Sequence, residues 1–383
     1  MKVFILAGEP SGDRLGGALM AGLKQLQPEI TFEGIGGPEM QAQGLESLFD
    51  MSELSVMGLA EILPKYRALM ARINQTAQAV LKMQPDVLIT IDSPDFSLRV
   101  ARRVKAKSDL RCVHYVAPSV WAWRPGRAEK MARYVDHVLA LLPFEPPYME
   151  AAGMDCDFVG HPVVAEPVAS PAEALAFRET HGIGEAPLLL MLPGSRKSEV
   201  ARLGPIFQRV AAQLAEARPD MRIVIPAAAS VTHDVKVLTR NWPVPPLLLD
   251  PRDRDSAEVA AEKRAAFRAA DVALAASGTV SLELAAAGTP MVIAYQMNWL
   301  THRIMERLAK IDTVTLVNLV TETRVVPEFL GANCRPGPIA REILKVLAAP
   351  ERQQEAMTLT MERLGRGGEA PGLRAAKAVL DRL

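Results

Sequence analysis

The chain has 383 residues; 44 Lys and Arg balance 44 Asp and Glu, and 49% of the residues are apolar. This composition excludes wholesale disorder, and the zero net charge argues against a general nucleic-acid binder. At roughly 150 residues per domain, the length predicts two domains. Three scattered cysteines predict reduced thiols in a cytosol rather than a disulfide framework or a zinc cluster.

In the first half, short apolar runs alternate with longer amphipathic stretches. The runs predict strands at 3–7, 87–91, 112–116 and 138–142, and the stretches predict helices at 12–27, 58–83 and 97–107. Apolar runs of this length without polar alternation are typical of strands buried on both faces. The alternation therefore predicts βαβ units and a parallel sheet covered by helices.

The same pattern begins again in the second half. Its predicted strands are 188–192, 223–225, 247–249, 272–275 and 291–294, and the chain after Pro336 is mostly helical. Between the halves, residues 160–171 contain three prolines and predict a semi-rigid linker. We expect an α/β protein of two Rossmann-like domains that face each other across a cleft, with ligands beyond the carboxyl ends of the strands.

Several common site signatures are missing from the sequence. The patterns G-x-x-x-x-G-K-[ST], G-x-G-x-x-G, H-E-x-x-H and G-x-S-x-G do not occur where they would be needed, which disfavours P-loop NTPases, dinucleotide oxidoreductases, zinc proteases and α/β-hydrolases. The longest uncharged run, 284–301, contains Gly288 and Pro290 and suits a strand with its loop better than a membrane span.

Two loops in the second half are suited to phosphate. Gly194, Ser195 and Arg196 follow a strand and precede a helix, whose free N–H groups and guanidinium neighbour favour an anion. Ser277, Gly278 and Thr279 follow another strand, and Glu283 lies one helical turn later, where a carboxylate can accept from ribose hydroxyls. The alternatives are a tight turn with a solvated arginine and an ordinary helix cap. Together the loops favour a nucleotide-diphosphate ligand.

In the first half, Asp92 lies where a predicted strand ends. There a carboxylate can take a proton from a substrate hydroxyl, and a turn carboxylate is the alternative. Two acidic triplets, 155–157 and 253–255, resemble metal-binding D-x-D motifs, but we interpret them as solvated turns. The six histidines do not pair at ligand spacing, so we expect no catalytic metal.

One region of the first half is basic and amphipathic. Residues 61–134 contain 14 Lys and Arg against 6 Asp and Glu, and apolar residues recur at helical spacing from Leu59 to Val80, Leu69 and Met70 among them. Such a stretch can lie in an anionic membrane interface, or it can pack on the sheet with solvated cations. Trp121 and Trp123 suit a membrane interface, a carbohydrate platform or a domain-edge contact.

Eight short segments occur in a distinctive order. They are GEPSGD at 8–13, VMG at 56–58, IDSPDF at 91–96, HYVAPSVWAW at 114–123, LPFE at 142–145, VGH at 159–161, LPGSR at 192–196 with Glu199, and ASGT at 276–279 with Glu283. In this order, and over 3–383, they closely resemble the lipid-A-disaccharide synthases, bacterial glycosyltransferases that join two acylated glucosamine units. The segment at 114–123 carries most of the resemblance.

The resemblance implies a GT-B fold with three segments: an acceptor and lipid-binding domain at 1–165, a UDP-sugar domain at 166–350, and C-terminal helices at 351–383 that return to the first domain or to a partner subunit. It implies UDP-2,3-diacylglucosamine as donor and 2,3-diacylglucosamine 1-phosphate as acceptor, with no cofactor. UDP is released and a β-1,6 link forms, which from an α-linked donor means inversion. The implied location is cytoplasmic, peripheral on the inner membrane, and a homodimer is one implied assembly.

Residue roles follow from the same resemblance. Asp92 matches the proposed catalytic carboxylate, Arg196 the essential diphosphate-proximal arginine, and Asn318 another polar position tied to activity. The UDP-binding segments contain Gly194, Ser195, Glu199, Ser277, Gly278, Thr279 and Glu283. The acceptor and lipid side contains Ser11, Gly12, Asp13, Met57, Leu69, Met70, His114, Trp121 and Trp123. The charged stretch 251–264 departs from the family pattern.

Two other functions remain open at this point. One is another sugar-nucleotide enzyme on the same fold, either a transferase for a water-soluble acceptor or a 2-epimerase; the other is a nucleotide-sugar-binding module without turnover. The identity of the general base is also open, since His114 or a bound water can take the place of Asp92.

Overall fold

The computed structural model describes residues 1–54, 59–122, 126–296 and 312–383, with only the backbone described for 59–65. Two compact units make up the chain. The first unit contains residues 1–165 and 364–383, and the second contains 166–363. In the part of the chain that the structure describes, each unit has one six-stranded parallel sheet.

The sheet of the first unit has the order β2-β1-β3-β4-β5-β6. Its strands are β1 (Lys2–Ala7), β2 (Thr31–Ile35), β3 (Val87–Ile91), β4 (Arg111–Tyr115), β5 (His137–Ala140) and β6 (Asp155–Phe158). Ala7 lies opposite Ile91, which lies opposite Tyr115. The loops that follow β1, β3 and β4 therefore leave the sheet at one edge, which is where ligands bind in open parallel sheets.

Helices cover this sheet. They are α1 (Pro10–Leu26), α2 (Pro38–Ala42), α3 (Leu59–Met83), α4 (Pro94–Lys105), α5 (Gly126–Met131), α6 (Pro146–Glu150) and, from the chain end, the helix Pro371–Asp381. The C-terminal helix packs on α1 through two glycines: a Cβ at Gly22 would lie 2.7 Å from the carbonyl oxygen of Gly372, and a Cβ at Gly372 would lie 2.5 Å from that of Ala18. Only glycine permits so close an approach of two helix backbones.

The first acidic triplet is not the solvated turn that the sequence suggested. Asp155 and Asp157 lie in β6, where Asp155 pairs with Arg111 and both carboxylates pair with Arg382 near the chain end. The side chain of His137, on neighbouring β5, also bonds Asp157. These ion pairs hold the C-terminal helix to the sheet edge. In the second triplet, Asp255 caps a helix by accepting from the N–H groups of Ala257 and Glu258.

The sheet of the second unit has the order β12-β11-β10-β7-β8-β9. Its strands are β7 (Leu188–Leu192), β8 (Arg222–Pro226), β9 (Leu247–Leu249), β10 (Val272–Ala276), β11 (Met291–Tyr295) and β12 (Glu328–Leu330). Leu192 lies opposite Ala275, so the loops that follow β7 and β10 leave the sheet side by side.

The helices of this unit alternate with its strands. They are α7 (Pro171–Thr180), α8 (Lys197–Ala217), α9 (Thr232–Thr239), α10 (Ser256–Ala269), α11 (Val280–Ala287), α12 (Leu316–Thr321), α13 (Pro336–Ala348) and α14 (Glu351–Arg363). The chain then re-enters the first unit, where Pro371–Asp381 is α15. No helix among the described residues is both long enough and apolar enough to span a membrane.

Candidate functional site

A cavity of about 460 Å³ opens at the carboxyl edge of the second sheet, where the loops after β7, β9 and β10 meet. All eight residues predicted to bind the nucleotide line it: Gly194, Ser195, Arg196, Glu199, Ser277, Gly278, Thr279 and Glu283. Apolar side chains, including Leu249 and Phe267, line other parts of its wall. The adjacency of β7 and β10 brings the two predicted loops together from positions more than 80 residues apart in the sequence.

Glu199 occupies the anion position predicted at the start of α8. Its Oε2 accepts from the backbone N–H groups of Ser195 and Arg196, at 3.1 and 3.3 Å. Gly194 has φ +112, and a Cβ there would lie 2.5 Å from the same oxygen. These two N–H groups are therefore already paired with a carboxylate in this structure, and direct binding of phosphate by this loop stays a prediction.

The turn before α11 keeps its donors available. Within the described residues, no acceptor is paired with the N–H groups of Gly278 and Thr279, and the Ser281 hydroxyl donates to the Gly278 carbonyl. A Cβ at Gly278 would meet nothing within 4 Å, so the backbone faces open space. This helix start therefore offers free N–H groups to an anion.

Arg196 is the most available cation at the mouth of the cavity. Its side chain is 65% exposed, and its Nη1 lies 3.6 Å from Oε1 of Glu199. That single distant contact leaves the guanidinium fork free to bond two phosphate oxygens.

The charged stretch 251–264 forms another part of the wall. Arg254 pairs with Glu262 at 2.6 Å, and Lys263 donates to Oε2 of Glu283 at 2.6 Å. Sequence reasoning did not find Arg254 and Lys263, because nothing in their local spacing places Arg254 at a cavity or Lys263 beside Glu283 of α11. The departure of 251–264 from the family pattern was the only signal.

In the first unit, Asp92 emerges at the sheet edge in a strained conformation. Asp92 and Ser93 have φ +47 and +43, a region that residues other than glycine rarely adopt in succession. The Ser93 hydroxyl is buried with no hydrogen-bond partner among the described residues, and a Cβ at Gly8 would lie 2.6 Å from its oxygen. Strain of this kind clusters at functional sites, so it supports Asp92 as a site residue.

His114 is buried on β4, with only 2% of its surface exposed. Its Nδ1 lies 2.7 Å from the hydroxyl of Thr90, which also contacts the carbonyl of Val113. Burial, together with the positive charge of Arg127, lowers the pKa of His114 to about 4. The imidazole is therefore neutral near neutral pH, and it is less accessible to a substrate than Asp92, which is half-buried.

Asp13 serves the fold of the first unit rather than presenting a free carboxylate. It is buried in α1, and its two oxygens accept from the backbone N–H groups of Gly37, Glu39 and Met40 at the start of α2. Ser11 is exposed in the first turn of α1. Gly12 is buried against β1 and β3, where a Cβ would lie 3.3 Å from Ala7 Cβ.

Trp121 is held by a buried acid. Its Nε1 donates to Oε1 of Glu145 at 3.4 Å, and its ring meets Phe144 edge-on at 5.2 Å. Burial raises the pKa of Glu145 to about 7. Hydrogen bonds from the N–H groups of Leu142, Trp121 and Leu141 act in the opposite direction, because they stabilise the carboxylate. The LPFE segment thus positions the indole. Trp123 and Met57 lie outside the described residues.

Comparison with known proteins identifies the family. Residues 3–378 match the family model described as lipid-A-disaccharide synthetase. The chain is 66% identical over 383 residues to the lipid-A-disaccharide synthase of Ruegeria pomeroyi, covering 100% of this chain and 96% of that protein. The chain belongs to the lipid-A-disaccharide synthase family. The synthase of Rhodospirillum centenum is 46% identical, with 100% and 94% covered.

Membership in the lipid-A-disaccharide synthase family makes the chain a hexosyltransferase that forms a lipid A disaccharide. Solved structures confirm the GT-B fold class. The UDP co-structure of Staphylococcus aureus MnaA has a TM-score of 0.64 at 12% identity, with 100% of this chain and 97% of that chain covered. Acinetobacter baumannii MurG has a TM-score of 0.52 at 14% identity, covering 100% and 99%.

Asn318, which the family resemblance ties to activity, is not among the described residues that line the nucleotide cavity. It is fully buried in α12, and its Nδ2 donates to Thr313 and to the Val326 carbonyl while its Oδ1 accepts from the Val326 N–H. These bonds satisfy the amide within the second unit. The geometry supports a structural role for Asn318 rather than contact with a substrate.

We therefore predict that Asn318→Ala lowers the free energy of unfolding by about 2–4 kcal/mol, because it leaves buried backbone groups of Val326 unpaired. Urea denaturation measures this change, with exposed Asn333→Ala as the control. UDP affinity of the folded protein should stay within about threefold. Normal stability combined with a large loss of turnover would instead show that Asn318 contacts a substrate.

The described part of the predicted lipid-facing stripe packs mainly inward. In α3, Ile73, Ala77 and Val80 are buried in the core of the first unit, and Leu69 and Met70 are half-buried against that core. Among the stripe residues whose side chains the structure describes, Tyr66 is exposed, at 46%. Residues 69–80 therefore pack on the core of the first unit, which was the alternative to a membrane-facing stripe.

Proposed function

We propose that this chain transfers 2,3-diacylglucosamine from UDP-2,3-diacylglucosamine to 2,3-diacylglucosamine 1-phosphate, releasing UDP and forming a β-1,6 link. The observation that carries the proposal is the convergence on one cavity of the eight residues predicted to bind the nucleotide. Family membership supports the disaccharide product, and the UDP co-structure of MnaA supports this fold as one that holds UDP.

The donor's diphosphate is bound between Arg196 and the start of α11. The free N–H groups of Gly278 and Thr279 and the forked guanidinium together stabilise the charge that grows on the diphosphate as it leaves. Glu199 holds the loop that carries Arg196 and places a negative charge behind it. The apolar wall beyond Leu249 suits the uracil ring.

A single displacement accounts for inversion from an α-linked donor to a β product. The 6-hydroxyl oxygen of the acceptor attacks the anomeric carbon, the bond from that carbon to the diphosphate oxygen breaks, and its electron pair leaves on UDP. Asp92 takes the hydroxyl proton. We favour Asp92 over His114 because Asp92 is the more exposed of the two and lies at the carboxyl edge of the sheet.

The reaction is tested by mass spectrometry of products from UDP-2,3-diacylglucosamine incubated with and without the monophosphate acceptor. The disaccharide 1-phosphate and UDP should form only when both substrates are present. An isomerised donor without acceptor would identify an epimerase instead. Binding of the donor with no change to either substrate would identify a binding module.

We expect turnover without a divalent metal, because Arg196 and the α11 N–H groups already supply donors to the leaving diphosphate. The acidic triplets have other partners: Asp155 pairs with Arg111 and Asp255 caps α10. Activity measured in excess EDTA should stay within about twofold of the untreated enzyme. A loss that added Mg²⁺ restores would contradict this expectation.

Both substrates carry acyl chains, and each buried CH₂ favours an apolar or interfacial environment by about 0.8 kcal/mol. We propose that the first unit contacts the inner-membrane surface near the start of the described α3 side chains, where Tyr66 and Arg67 are exposed. An aromatic side chain beside a cation suits such an interface.

Tyr66→Glu should weaken binding to vesicles of anionic phospholipid at least fivefold in a sedimentation assay, because it replaces an interfacial ring with a negative charge. Tyr148→Glu is the matched control, since Tyr148 is also 46% exposed in the same unit. UDP affinity should be unchanged in both variants. Equal vesicle affinity for the Tyr66 variant and the wild type would reject this surface.

A further inference from the structure

The charged stretch 251–264 is the part of the second unit that the family resemblance does not explain. In the structure it supplies part of the nucleotide cavity wall through Pro251, Arg254, Val259, Glu262 and Lys263. Two of its cations form ion pairs: Arg254 pairs with Glu262 inside the stretch, and Lys263 pairs with Glu283 of α11. Of these pairs, only Lys263 reaches a residue already assigned to the nucleotide.

Lys263 and Glu283 connect two helices at the cavity. Lys263 lies in α10, and its Nζ donates to Oε2 of Glu283 in the first turn of α11 at 2.6 Å. The ammonium also lies 5.1 Å from the centre of the Phe267 ring, which lines the same cavity. These two contacts hold Nζ on one side of the carboxylate, and the pair in turn restricts the rotation of the Glu283 side chain.

We propose that Lys263 is a positioning residue that makes the cavity selective for a ribonucleoside diphosphate. By occupying Oε2 of Glu283, it leaves Oε1 to accept a hydrogen bond from a ribose hydroxyl. This inference rests on the proposed function, since it assumes that UDP binds in this cavity. The proposal assigns part of the selectivity for ribose to α10, which lies outside the segments that the family resemblance identifies.

The pair is better suited to orienting a group than to stabilising the fold. The side chains of Lys263 and Glu283 are 45% and 36% exposed, and an ion pair this exposed contributes little to stability. The charge of Lys263 is balanced by Glu283, whereas Arg196 has only a distant carboxylate contact. The diphosphate therefore depends mainly on Arg196, and Lys263 acts through the carboxylate that it holds.

The test compares UDP with 2′,3′-dideoxyuridine diphosphate by isothermal titration calorimetry. In the wild type, loss of the ribose hydroxyls should weaken binding roughly tenfold or more, as expected for a hydrogen bond to a charged group. In Lys263→Met the ratio between the two ligands should fall to about threefold or less, with affinity for the dideoxy ligand little changed. Lys263→Arg should restore most of the ratio.

Lys345→Met is the matched control, because Lys345 pairs with Glu342 on α13, away from the cavity. It should keep the wild-type ratio, and thermal denaturation should show all variants folded. An equal loss of affinity for both ligands in Lys263→Met would show that the ammonium attracts the diphosphate. Unchanged affinity for both ligands would show that Lys263 does not influence binding. Either result overturns the inference. Failure of the wild type to bind UDP would overturn the proposed function itself.

Discussion

Arg196→Ala should lower kcat at least a hundredfold. The guanidinium is 65% exposed at the mouth of the cavity, with one carboxylate contact at 3.6 Å, so it is free to bind the diphosphate. Removal of one donor to the charge that develops on a leaving group costs about 3–4 kcal/mol, and each 1.4 kcal/mol is about tenfold in rate. Steady-state release of UDP measures the effect.

Two further variants sharpen the test of Arg196. Arg202→Ala removes an exposed arginine from α8, the helix that Arg196 precedes, and should leave kcat unchanged. Arg196→Lys keeps the charge but loses the planar fork, so its kcat should lie between those of the wild type and Arg196→Ala. A less than tenfold effect of Arg196→Ala would contradict the assigned role.

Asp92→Asn should abolish most turnover, by about 10²- to 10⁴-fold, while UDP binds as in the wild type. The amide is nearly the same size as the carboxylate but does not accept the hydroxyl proton. Asparagine is also tolerated at positive φ, so it can adopt the φ of +47 observed at this position, whereas alanine would add strain. Single-turnover rates and UDP calorimetry measured on the same preparation separate chemistry from binding.

Asp95→Asn provides the control for Asp92, because Asp95 is an exposed carboxylate three residues later in the first turn of α4. It should change turnover by less than about threefold. Turnover by Asp92→Asn at near wild-type rate would transfer the role of the base to another group. A loss of UDP affinity in Asp92→Asn would show that the variant disturbs more than proton transfer.

The central strands of both sheets could be predicted because their apolar runs are nearly continuous. The strands missed from the sequence, β2, β6 and β12, all lie at sheet edges, where one side of the strand has no neighbour and polar residues are tolerated. Asp155 and Asp157 in β6 illustrate the point, because their carboxylates are paired by arginines from β4 and the chain end.

The nucleotide cavity could be predicted in its loops but not in its contacts. Loops at the carboxyl ends of parallel strands are recognisable from local sequence, and their convergence follows from topology. The contacts of Glu199 and Lys263 depend on which of several possible hydrogen-bonding partners each side chain meets in the folded chain. For Asn318 the family resemblance indicated the position but not its role. Only the fold shows that the hydrogen bonds of its amide are satisfied within the second unit.

The discontinuity of the first unit has a consequence for biosynthesis. Residues 166–363 can complete their own sheet as soon as they leave the ribosome, whereas the earlier unit lacks α15 until residues 371–381 have also been made. Ala375, Ala376 and Val379 are part of its core, and Arg382 forms an ion pair with Asp157 of β6. The segment made first should therefore finish folding last, and its full protease resistance should appear only after α15 has left the ribosome.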